Sequence, residues 1–597
     1  MLRSMTDTLS CRGPDDEGLW LDRHVALGHR RLAVIDLAGG RQPMVADDDG
    51  RVRAVLSFCG EVYNYRELRA ELRGHGHRFR TDSDTEVVLR AYLQWGERFA
   101  ERLNGMFALA VWDPDRAELL LVRDRMGVKP LYYHPLPGGV LFGSEPKAIL
   151  ACPLVSRRVD ADGLCEVLDM VKTPGAAVFG GMLEVRPGEA VTVGRHGTAV
   201  HRYWTLTANE HTDDLPTTIA TVRELLQDTV SRQLIADVPL CVLLSGGLDS
   251  SAVTALAARA LAGQGLGPLR SFAVDFAAAI DRFEPDAVRG STDRPYAREA
   301  ARHVGAEHSE VLLDSAELVE PGVRAAVLRA NDQPPAYWGD MWPSLYLLFR
   351  AIREHSTVAL SGEAADELFG GYRWFRNPAA LRGTTFPWLT PGSARYFGGL
   401  GLLDEGLTEK LDLAERRRAA YADAVAEVPV LPGEDATERR MREVTYLNLT
   451  RFVRALLDRK DRMSMAVGLE VRVPFCDHRL VEYVFNVPWS MKAFDGREKS
   501  LLRAAVADLL PDSVRWRVKT PYPAIQDPGY ERALRAELAA VLADRDAPVL
   551  PLLDLRRARA AAGRPAGEVS LPYDRGGLEM ALWLNRWLVA YGVTLDL

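Results

Sequence analysis

A turn of sequence Ser-Gly-Gly-Leu-Asp-Ser-Ser at residues 245–251 constrains this chain more than any other stretch of the sequence. The turn follows a continuous apolar run at 238–244 and precedes a segment in which apolar residues recur with helical spacing. An entirely apolar strand that leads into a helix is typical of a parallel sheet buried on both faces. The sequence therefore predicts a strand, a tight turn and a helix within an α/β domain.

The residue types in this turn are suited to binding phosphate groups. Two glycines let the backbone bend closely around an anion, and the following helix offers unpaired N–H groups and the positive end of its dipole. Asp249 would repel phosphates unless a divalent cation lay between them, so we expect pyrophosphate and Mg²⁺ together. The turn lacks the GxxxxGK[ST] spacing of a kinase-type P-loop. It resembles instead the PP-loop of the ATP pyrophosphatases, which cleave ATP between the α- and β-phosphates to adenylate an oxygen of a carbonyl or carboxyl group.

A second unit of the same form, STVALSGEAADELFGGY, begins at residue 356. A strand is predicted at 357–360, and in the helix that follows Glu363 and Asp366 would share one face because they lie three residues apart. Parallel strands that end in Gly-rich turns bring both turns to one sheet edge, where α/β sites form. Acids there could hold a cation with Asp249 or orient an incoming amine. The alternative is an acidic first helical turn that suits the helix dipole.

Three stretches, SGEAADELFGGY, LLDRKDRMSMAVGLEVRVPFCDHRLVEYVF and GREKSLLRAA, closely resemble the asparagine synthetase B family. The resemblance implies that Glu363 takes part in acyl-adenylate formation and that Asp249 and Asp366 hold Mg²⁺ on pyrophosphate. Lys499 would neutralise charge on the phosphates, the alternative being a solvated lysine. The implied ATP-binding residues are Leu244, Ser245, Gly246, Gly247, Asp249, Ser250, Val274, Ser361 and Gly362. Arg472, between two valines, is either a buried paired arginine or a ligand for a substrate carboxylate or phosphate.

Residues 20–205 show a different sequence pattern, in which short apolar runs are separated by residues typical of turns. The strand-like runs are RLAVIDL, AVLSFCG, FALAVWD, ELLLVRD, PLYYHP, GVLFGSE and AVTVG, and two helical stretches, 65–75 and 84–103, interrupt them. This pattern predicts a layered β-rich domain. The second half is predicted to be α/β with a helical remainder after about residue 410, and the boundary between the halves is predicted near residue 206.

The first half resembles the class II glutamine amidotransferase domain, because RGPDDEG, GHRRLAVIDL, GEVYNYRELR, SDTEVV, NGMFALAVWD, VRDRMGVKPLYY and FGSEPKAIL follow in that family's order. The resemblance implies an α+β layered amidotransferase domain of the Ntn type at 1–205. An α/β parallel-sheet PP-loop synthetase domain with a helical C-terminal part would follow at 206–597. The implied glutamine-binding residues are Arg31, Leu32, Ala33, Val34, Ile35, Gly60, Glu61 and Asp84. Asp84 suits the α-ammonium group of glutamine, and Arg31 suits its α-carboxylate.

Two departures from that family bear on glutamine hydrolysis. The family begins Met-Cys-Gly-Ile, and the terminal cysteine acts as nucleophile with its own α-amine as base, whereas this sequence begins about two dozen residues further on. The family's oxyanion-supporting asparagine is Cys59 here, and losing one oxyanion donor typically costs about 10²–10³ in rate. Cys11, where the family usually has histidine, is expected to be a packing residue.

We therefore expect the glutaminase half to be inactive in the chain as numbered. The favoured explanation is a truncated or misassigned start, because the remaining glutamine-pocket residues are intact by type. The alternative is a domain that has become a scaffold, which would leave ammonia or another amine as the nitrogen source.

Composition limits the partners and the compartment. With 74 Lys and Arg against 82 Asp and Glu, the net charge of −8 argues against an extended nucleic-acid surface. No run approaches the roughly 18 uninterrupted apolar residues of a membrane helix, and the start lacks the apolar core of a signal peptide. The 6 cysteines are scattered without a CxxC pair. We expect a cytoplasmic enzyme that acts on small molecules, and the sequence leaves a homodimer open.

Together these patterns predict an ATP-dependent amide ligase of the asparagine synthase type, with ATP and Mg²⁺. Aspartate would be activated as β-aspartyl-AMP with release of pyrophosphate, and glutamine or ammonia would supply the amide nitrogen. The nearest alternative is the same adenylation of another carboxylate, as in β-lactam synthetases or lasso-peptide cyclases. A tRNA-modifying enzyme would need a basic face and commonly a reactive cysteine pair, and the sequence has neither. A non-catalytic protein is disfavoured because the acids and the lysine are chemically competent.

Overall fold

The computed structural model describes residues 1–48, 50–285, 289–335, 339–390, 399–565 and 572–597, without the side chains of 281–282 and 572–574. Within these ranges the first half of the chain is rich in short strands. They are β1 (Asp16–Leu21), β2 (Ala26–Arg31), β3 (Met44–Asp48), β4 (Arg51–Val62), β5 (Gly105–Asp113), β6 (Glu118–Arg123), β7 (Tyr132–Leu136), β8 (Gly139–Gly143), β9 (Arg158–Asp160), β10 (Leu183–Glu184), β11 (Glu189–Gly194) and β12 (Gly197–Arg202). The helices are α1 (Leu2–Asp7), α2 (Tyr65–Gly74), α3 (Asp84–Trp95), α4 (Pro146–Leu150) and α5 (Ala161–Leu168).

The first half is layered around a six-stranded antiparallel sheet of order β12-β11-β6-β5-β4-β3. Side chains alternate across β5, so that Leu109 and Val111 pack with helices α2 and α3, whereas Ala110 and Trp112 face the smaller sheets β1-β2 and β10-β7-β8. Helices therefore cover one face of the large sheet and two small antiparallel sheets cover the other. This arrangement agrees with the predicted layered, β-rich domain.

Two details predicted for this half are wrong. RLAVIDL is not a strand, because β2 ends at Arg31 and the Arg31 guanidinium donates hydrogen bonds to the carbonyls of Ile35, Asp36 and Leu37, which curl the following segment back onto it. The helix predicted at 84–103 ends at Trp95, because Gly96 has a positive φ of 59° and the chain continues as a 3₁₀ helix. The short helices α4 and α5 were also not predicted.

The second half combines a parallel sheet with many helices. Its strands are β13 (Leu240–Leu243), β14 (Arg270–Phe276), β15 (Glu307–Leu313), β16 (Val358–Leu360), β17 (Glu470–Arg472) and β18 (Thr594–Asp596). Its helices are α6 (Leu215–Gln233), α7 (Leu248–Gly263), α8 (Ala277–Arg282), α9 (Arg294–Val304), α10 (Ser315–Val319), α11 (Pro321–Asn331), α12 (Met341–Arg353), α13 (Ala365–Phe369), α14 (Pro378–Arg382), α15 (Glu405–Leu411), α16 (Leu413–Ala426), α17 (Ala436–Leu447), α18 (Val453–Met465), α19 (His478–Asn486), α20 (Trp489–Lys492), α21 (Ser500–Ala505), α22 (Asp512–Arg515), α23 (Pro528–Ala543), α24 (Leu555–Gly563) and α25 (Pro572–Tyr591).

The parallel sheet has the order β15-β14-β13-β16-β17 and is covered by helices on both faces. Strand β13 is central, and the chain adds β14 and β15 on one side of it before returning to add β16 on the other. The crevice between β13 and β16 is therefore a topological switch point, where open α/β sheets bind their ligands. The pairing of Val242 with Leu360 aligns the ends of these two strands, so the turns that follow them lie side by side.

Candidate active site

The turn after β13 is held in shape by its own serines. Ser250 Oγ lies 3.1 Å from Ser245 Oγ and donates a hydrogen bond to the Gly247 carbonyl at 3.2 Å. Gly246 has φ +69°, and a Cβ there would lie 2.3 Å from the backbone nitrogen of Ala297, so this position requires glycine. Helix α7 begins directly after Gly247, which directs the free N–H groups of its first turn toward the crevice.

The second acidic turn differs from its prediction. Glu363 and Asp366 do not share a helical face, because Ala364 has φ +75° and α13 begins only at Ala365. The turn instead packs tightly on the first one, since a Cβ at Gly362 would lie 2.8 Å from the Ser250 nitrogen. Both turns thus meet at one sheet edge, and the two acids reach different lysines.

Lys499 joins the two aspartates that were predicted to hold the metal. Its Nζ lies 2.5 Å from Asp249 Oδ2 and also contacts Asp366 Oδ1, with only 2% of the lysine side chain exposed. Burial and the nearby Asp366 raise the pKa of Asp249 although Lys499 opposes them. Burial would raise the pKa of Asp366 as well, but Lys499 and Lys519 outweigh burial and lower the pKa of that carboxyl. Asp366 is therefore the better-neutralised acid of the two.

These aspartates fit a magnesium ion carried on substrate phosphates. Asp249 Oδ1 is buried and has no hydrogen-bond partner in the part of the chain that the structure describes. Mg²⁺ in nucleotide sites is typically bound by one or two carboxylates plus phosphates, so two aspartates are sufficient. No group of three or more His, Cys, Asp or Glu side chains suited to a metal ion occurs in the described ranges.

Glu363 is paired with Lys460 of helix α18. The Nζ and Oε2 atoms lie 2.9 Å apart, with 11% and 17% of the respective side chains exposed. Burial pushes the pKa of Glu363 upward, but Lys460 and Arg459 outweigh burial and hold it below its ordinary value. Glu363 is thus a carboxylate at neutral pH.

The other residues predicted to bind ATP lie at the same edge of the sheet. The Leu244 N–H donates to the Phe272 carbonyl at 2.8 Å, and Val274 follows two residues later in β14. The Leu244 side chain is buried with Ala297 and Val514, so it can meet a nucleotide only through its backbone. The Ser361 N–H is bonded to the Arg472 carbonyl.

The first half forms most of the wall of a cavity of about 760 Å³. Seven of the eight predicted glutamine-binding residues line this cavity, namely Arg31, Leu32, Val34, Ile35, Gly60, Glu61 and Asp84. Ala33 is not among the lining residues, and its N–H donates to Asp15 Oδ2 at 2.8 Å. The cavity also reaches Glu470 and Met465 of the second half, so both halves of the chain contribute to its wall.

Three charged residues in this cavity have distinct environments. The Arg31 guanidinium is occupied by backbone carbonyls of its own loop, at 2.7 Å for Leu37. Burial raises the pKa of Asp84 to about 6, although its Oδ2 accepts a hydrogen bond from the Val62 N–H. Burial together with Glu470 and Asp84 raises the pKa of Glu61 well above its usual range. The cavity therefore presents acids that would gain from a cationic ligand.

Arg472 is a buried paired arginine, which decides between the two alternatives that the sequence left open. It is fully buried, and its guanidinium donates to Glu470 Oε1 at 2.9 Å and to the carbonyls of Gln233 and Ile235 at 2.7 Å. The guanidinium also lies 3.9 Å from Glu61 Oε1. Arg472 thus links the parallel sheet to Glu61 in the wall of the first-half cavity.

Helix α18 connects the two sites. Lys460 faces Glu363, whereas its neighbour Asp461 accepts hydrogen bonds from Arg12 at 2.7 Å and from Lys129 at 3.1 Å, both in the first half of the chain. All five side chains are largely buried. Adjacent residues of this helix therefore contact different halves of the chain, Lys460 the second half and Asp461 the first.

Sequence reasoning did not single out Lys460, Asp461 or Lys519 as site residues. Lys460 and Asp461 lie in the stretch LLDRKDRMSM, whose adjacent opposite charges in an apolar setting were the available signal. Lys519 lies in a segment without regular structure, and no local pattern marks it.

Two family models match the chain. The model described as asparagine synthase matches residues 221–588, and the model described as glutamine amidotransferase domain matches residues 1–204. Within the described ranges, no helix has both the length and the apolar character needed to cross a bilayer.

Three curated relatives from Bacillus subtilis (strain 168) are similar over most of the chain. Asparagine synthetase [glutamine-hydrolyzing] 3 is 41% identical over 600 residues, covering 99% of this chain and 96% of its own length. Asparagine synthetase [glutamine-hydrolyzing] 1 is 29% identical, covering 88% of this chain and 83% of the relative. Asparagine synthetase [glutamine-hydrolyzing] 2 is 30% identical, covering 87% of this chain and 69% of the relative.

Proposed function

The chain belongs to the asparagine synthase family, and we propose on that basis that it is an ATP-dependent ligase that makes asparagine from aspartate. The reaction consumes ATP and ammonia or glutamine, proceeds through β-aspartyl-AMP, and releases AMP and pyrophosphate. One observation carries the proposal. Asp249, Asp366 and Lys499 converge at the switch point of the parallel sheet, directly beside the turn that offers backbone N–H groups.

The first step joins aspartate to the α-phosphorus of ATP, because a free carboxylate is too poor an electrophile to react with an amine. An oxygen of the aspartate β-carboxylate bonds to the α-phosphorus. The bond between that phosphorus and the oxygen that bridges to the β-phosphate breaks, and pyrophosphate leaves. Lys499 neutralises charge that develops on the departing pyrophosphate, a role suited to a buried and immobile cation. Asp249 and Asp366 would hold Mg²⁺, which supplies further charge neutralisation on the phosphates when it is bound.

Ammonia then attacks the acyl carbon of the adenylate, AMP leaves with the bonding electron pair, and the nitrogen loses a proton. We infer that Glu363 acts in both steps as a fixed negative charge, which orients a cationic group during adenylation and then the incoming amine. A carboxylate held at low pKa by Lys460 and Arg459 is poorly suited to donating a proton at neutral pH.

For the 597-residue polypeptide we propose that ammonia is a better nitrogen source than glutamine. Cys59 lines the cavity next to Gly60 and Glu61, where a thiol is only a weak hydrogen-bond donor toward an oxyanion. Cys11 is exposed, Cys59 is partly buried, and the other four cysteines are buried. Amide formation should therefore be efficient with ammonium salts and slight with glutamine alone. Robust glutamine hydrolysis that survives Cys11→Ser and Cys59→Ser would contradict this part of the proposal.

We also propose that residues 1–205 form an amidotransferase domain of the Ntn type and residues 206–597 the synthetase domain. The change from antiparallel sheets to a parallel sheet between β12 and β13 supports this division. A cytoplasmic location is proposed from the 6 free cysteines, which suit a reducing compartment.

The direct test is exchange of labelled pyrophosphate into ATP with a panel of carboxylates. Exchange that depends on aspartate, together with formation of asparagine and AMP when ammonium is added, is the expected result. Exchange with another carboxylate but not with aspartate would instead place the enzyme among the ligases that use the same chemistry on different substrates. Absence of exchange with every carboxylate in the panel would overturn the proposed chemistry.

A further inference from the structure

A separate cavity lies where the two halves of the chain meet, and among the described residues it shares no lining residue with the cavity of the first half. Its volume is about 90 Å³, which is room for roughly six water molecules at about 15 Å³ each. Lys172 and Glu184 line it from the first half, and Asn331, Arg454 and Asp458 line it from the second. This interface cavity is therefore walled by both halves and is rich in charged side chains.

The acids that line the interface cavity already have partners. The Glu184 carboxylate contacts the guanidinium groups of both Arg123 and Arg454, and Asp458 Oδ1 lies 3.1 Å from Arg462 Nε. Among the described residues, four cations and three acids line the cavity. The wall therefore carries more positive than negative charge, and one of its acids is shared by two guanidinium groups.

Arg454 has a donor without a partner. Its Nη2 contacts Glu184, but its Nη1 is buried and has no hydrogen-bond partner within the described ranges. The neighbouring Arg462 differs, since its Nε, Nη1 and Nη2 all donate hydrogen bonds, one of them to the Tyr132 hydroxyl at 3.1 Å. All three nitrogens of the Arg123 guanidinium donate as well. Because a buried unpaired N–H is costly, Arg454 would gain from an acceptor in the cavity.

Lys172 is also incompletely neutralised. Its ammonium group donates a hydrogen bond to the Glu166 carbonyl, which uses one of its three protons. The Glu166 carboxylate is engaged elsewhere, since it accepts a hydrogen bond from the Thr173 N–H at 3.2 Å. Burial lowers the pKa of Lys172 although Glu166 and Asp169 oppose it. A negatively charged ligand beside Lys172 would therefore stabilise the ammonium form of this lysine.

Asn331 adds an acceptor without a partner to the same wall. The residue is 3% exposed, and its Nδ2 donates to the Gln333 carbonyl at 2.8 Å. Its Oδ1 is buried and has no hydrogen-bond partner in the part of the chain that the structure describes. Since buried polar groups without partners are rare in folded proteins, a ligand that donates a proton to Oδ1 is expected here. The wall thus offers a ligand two cations and one acceptor.

We propose that the interface cavity binds a small oxyanion that also carries a proton donor, and that this ligand bridges Lys172 of the first half and Arg454 of the second. Hydrogen phosphate and a small amino acid such as glycine share this chemistry, and both are small enough for a space of about 90 Å³. Arg454 lies in the first turn of α18, the helix that also supplies Lys460 to Glu363. The bound ligand would fix the start of this helix to the first half. Such a ligand takes no part in adenylation, so this site is distinct from the proposed function.

The test measures the binding of phosphate, glycine and acetate to the full chain by calorimetry, with saturating MgATP present and aspartate absent. MgATP keeps phosphate out of the PP-loop, and no adenylation of aspartate occurs. We expect phosphate or glycine to bind, and acetate, which has no proton donor for Asn331, to bind about tenfold more weakly. The tighter binder of phosphate and glycine identifies which of the two sources the site takes.

Two variants locate the binding. Lys172→Met removes a hydrogen bond to a backbone carbonyl and leaves the ion pairs of Glu184 in place, whereas Arg454→Met removes one of those pairs. We expect the Kd of the bound probe to rise by about 10- to 100-fold in either variant, the usual effect of losing a charged hydrogen bond. In Arg418→Met, a control at an exposed arginine of α16, the Kd should change by less than about threefold.

Absence of binding by both phosphate and glycine would overturn the inference. Binding that stays unchanged in Lys172→Met would also overturn it, because the probe would then lie elsewhere, for example in the cavity of the first half. Acetate that binds as tightly as phosphate and glycine would refute the contact with Asn331. Melting temperatures without ligand show whether the variants fold, and if Arg454→Met does not fold, Lys172→Met alone decides.

Discussion

Lys460 Nζ lies 2.9 Å from Glu363 Oε2, and this ion pair keeps Glu363 charged although its side chain is buried. A buried carboxylate without a partner would take up a proton at neutral pH. The ion pair prevents this, so Glu363 remains negative in the position where an amine or a cationic group would be oriented. The contact crosses from the turn after β16 to helix α18.

Replacing Lys460 by methionine should therefore make adenylation depend on pH. Without the lysine, burial raises the pKa of Glu363, and a higher pH is needed to ionise it. We expect pyrophosphate exchange to fall by about 10- to 100-fold at pH 7 and to recover partly as pH rises, which shifts the acid limb of the profile upward. Lys460→Arg should keep the acid limb near its original position. An acid limb that stays in place in Lys460→Met would show that Glu363 does not act through its charge.

The two aspartates bound to Lys499 should each be essential for metal-dependent chemistry. Asp249→Ala and Asp366→Ala remove carboxylates that would hold Mg²⁺, and we expect pyrophosphate release to fall by about 10²-fold or more. Chelation of the metal should have the same effect on the unaltered enzyme, and titration with Mn²⁺ should show weakened metal binding in both variants. Asp423→Ala, at an exposed position of α16, is the matched control. Near-normal turnover of both variants at ordinary Mg²⁺ would refute the metal assignment.

The position of the PP-loop could be predicted because every local signal agreed. The apolar run before Ser245 forms β13, and the periodic segment after Gly247 forms α7. The predicted helical face of Glu363 and Asp366 failed because Ala364 adopts a left-handed conformation that usually requires glycine. No residue type at that position signals the break.

Lys460 and Lys519 could not be predicted as site residues, because their partners are distant in sequence. Lys460 meets Glu363, and Lys519 meets Asp366, only after the helices have packed on the sheet. Arg472 shows the same limit, since its hydrogen bonds to carbonyls at the end of α6 depend on how β17 lies beside β16. Tertiary packing determines which distant residues form such pairs, and local sequence patterns do not reveal that packing.

Glu367 should make the protein less stable as pH rises. Its side chain is fully buried, Tyr372 donates to its Oε1 at 2.7 Å, and Oε2 has no hydrogen-bond partner within the described ranges. Burial together with Asp366 and Glu363 raises the pKa of Glu367 to about 8. Because the unfolded chain loses this proton near pH 4.3, the folded state binds more protons between about pH 4.3 and pH 8, and its free energy of unfolding falls across that window.

Glu367→Gln removes this titration and keeps the shape of the side chain. The stability of the variant relative to the unaltered protein should increase with pH between about 5 and 8, by at most about 1.4 kcal/mol per pH unit. Urea denaturation at several pH values gives the free energy of unfolding of both proteins. The difference between the slopes of these free energies against pH does not depend on any constant offset that the amide introduces. Parallel curves for the two proteins would show that Glu367 is already ionised in the folded state.

Asp84 should make glutamine binding depend on pH near 6. In the cavity of the first half, burial raises the pKa of Asp84 to about 6, whereas an α-ammonium group beside it would favour the ionised form. Glutamine therefore has to bind the deprotonated acid, and binding below pH 6 releases a proton. We expect the Kd for glutamine to rise by up to about tenfold for each pH unit below 6 and to be nearly constant above pH 7. Calorimetry in buffers of different ionisation enthalpy would detect the released proton directly.

Glutaramate, which lacks the α-amino group of glutamine, is the matched ligand control. It cannot use the charge of Asp84, so its binding should not strengthen as this acid ionises. Asp84→Asn should weaken glutamine binding at pH 7 and remove the part of the pH dependence that is centred near 6. If glutamine and glutaramate showed the same pH dependence, or if Asp84→Asn bound glutamine as tightly as the unaltered protein, Asp84 could not be the residue that receives the ammonium group.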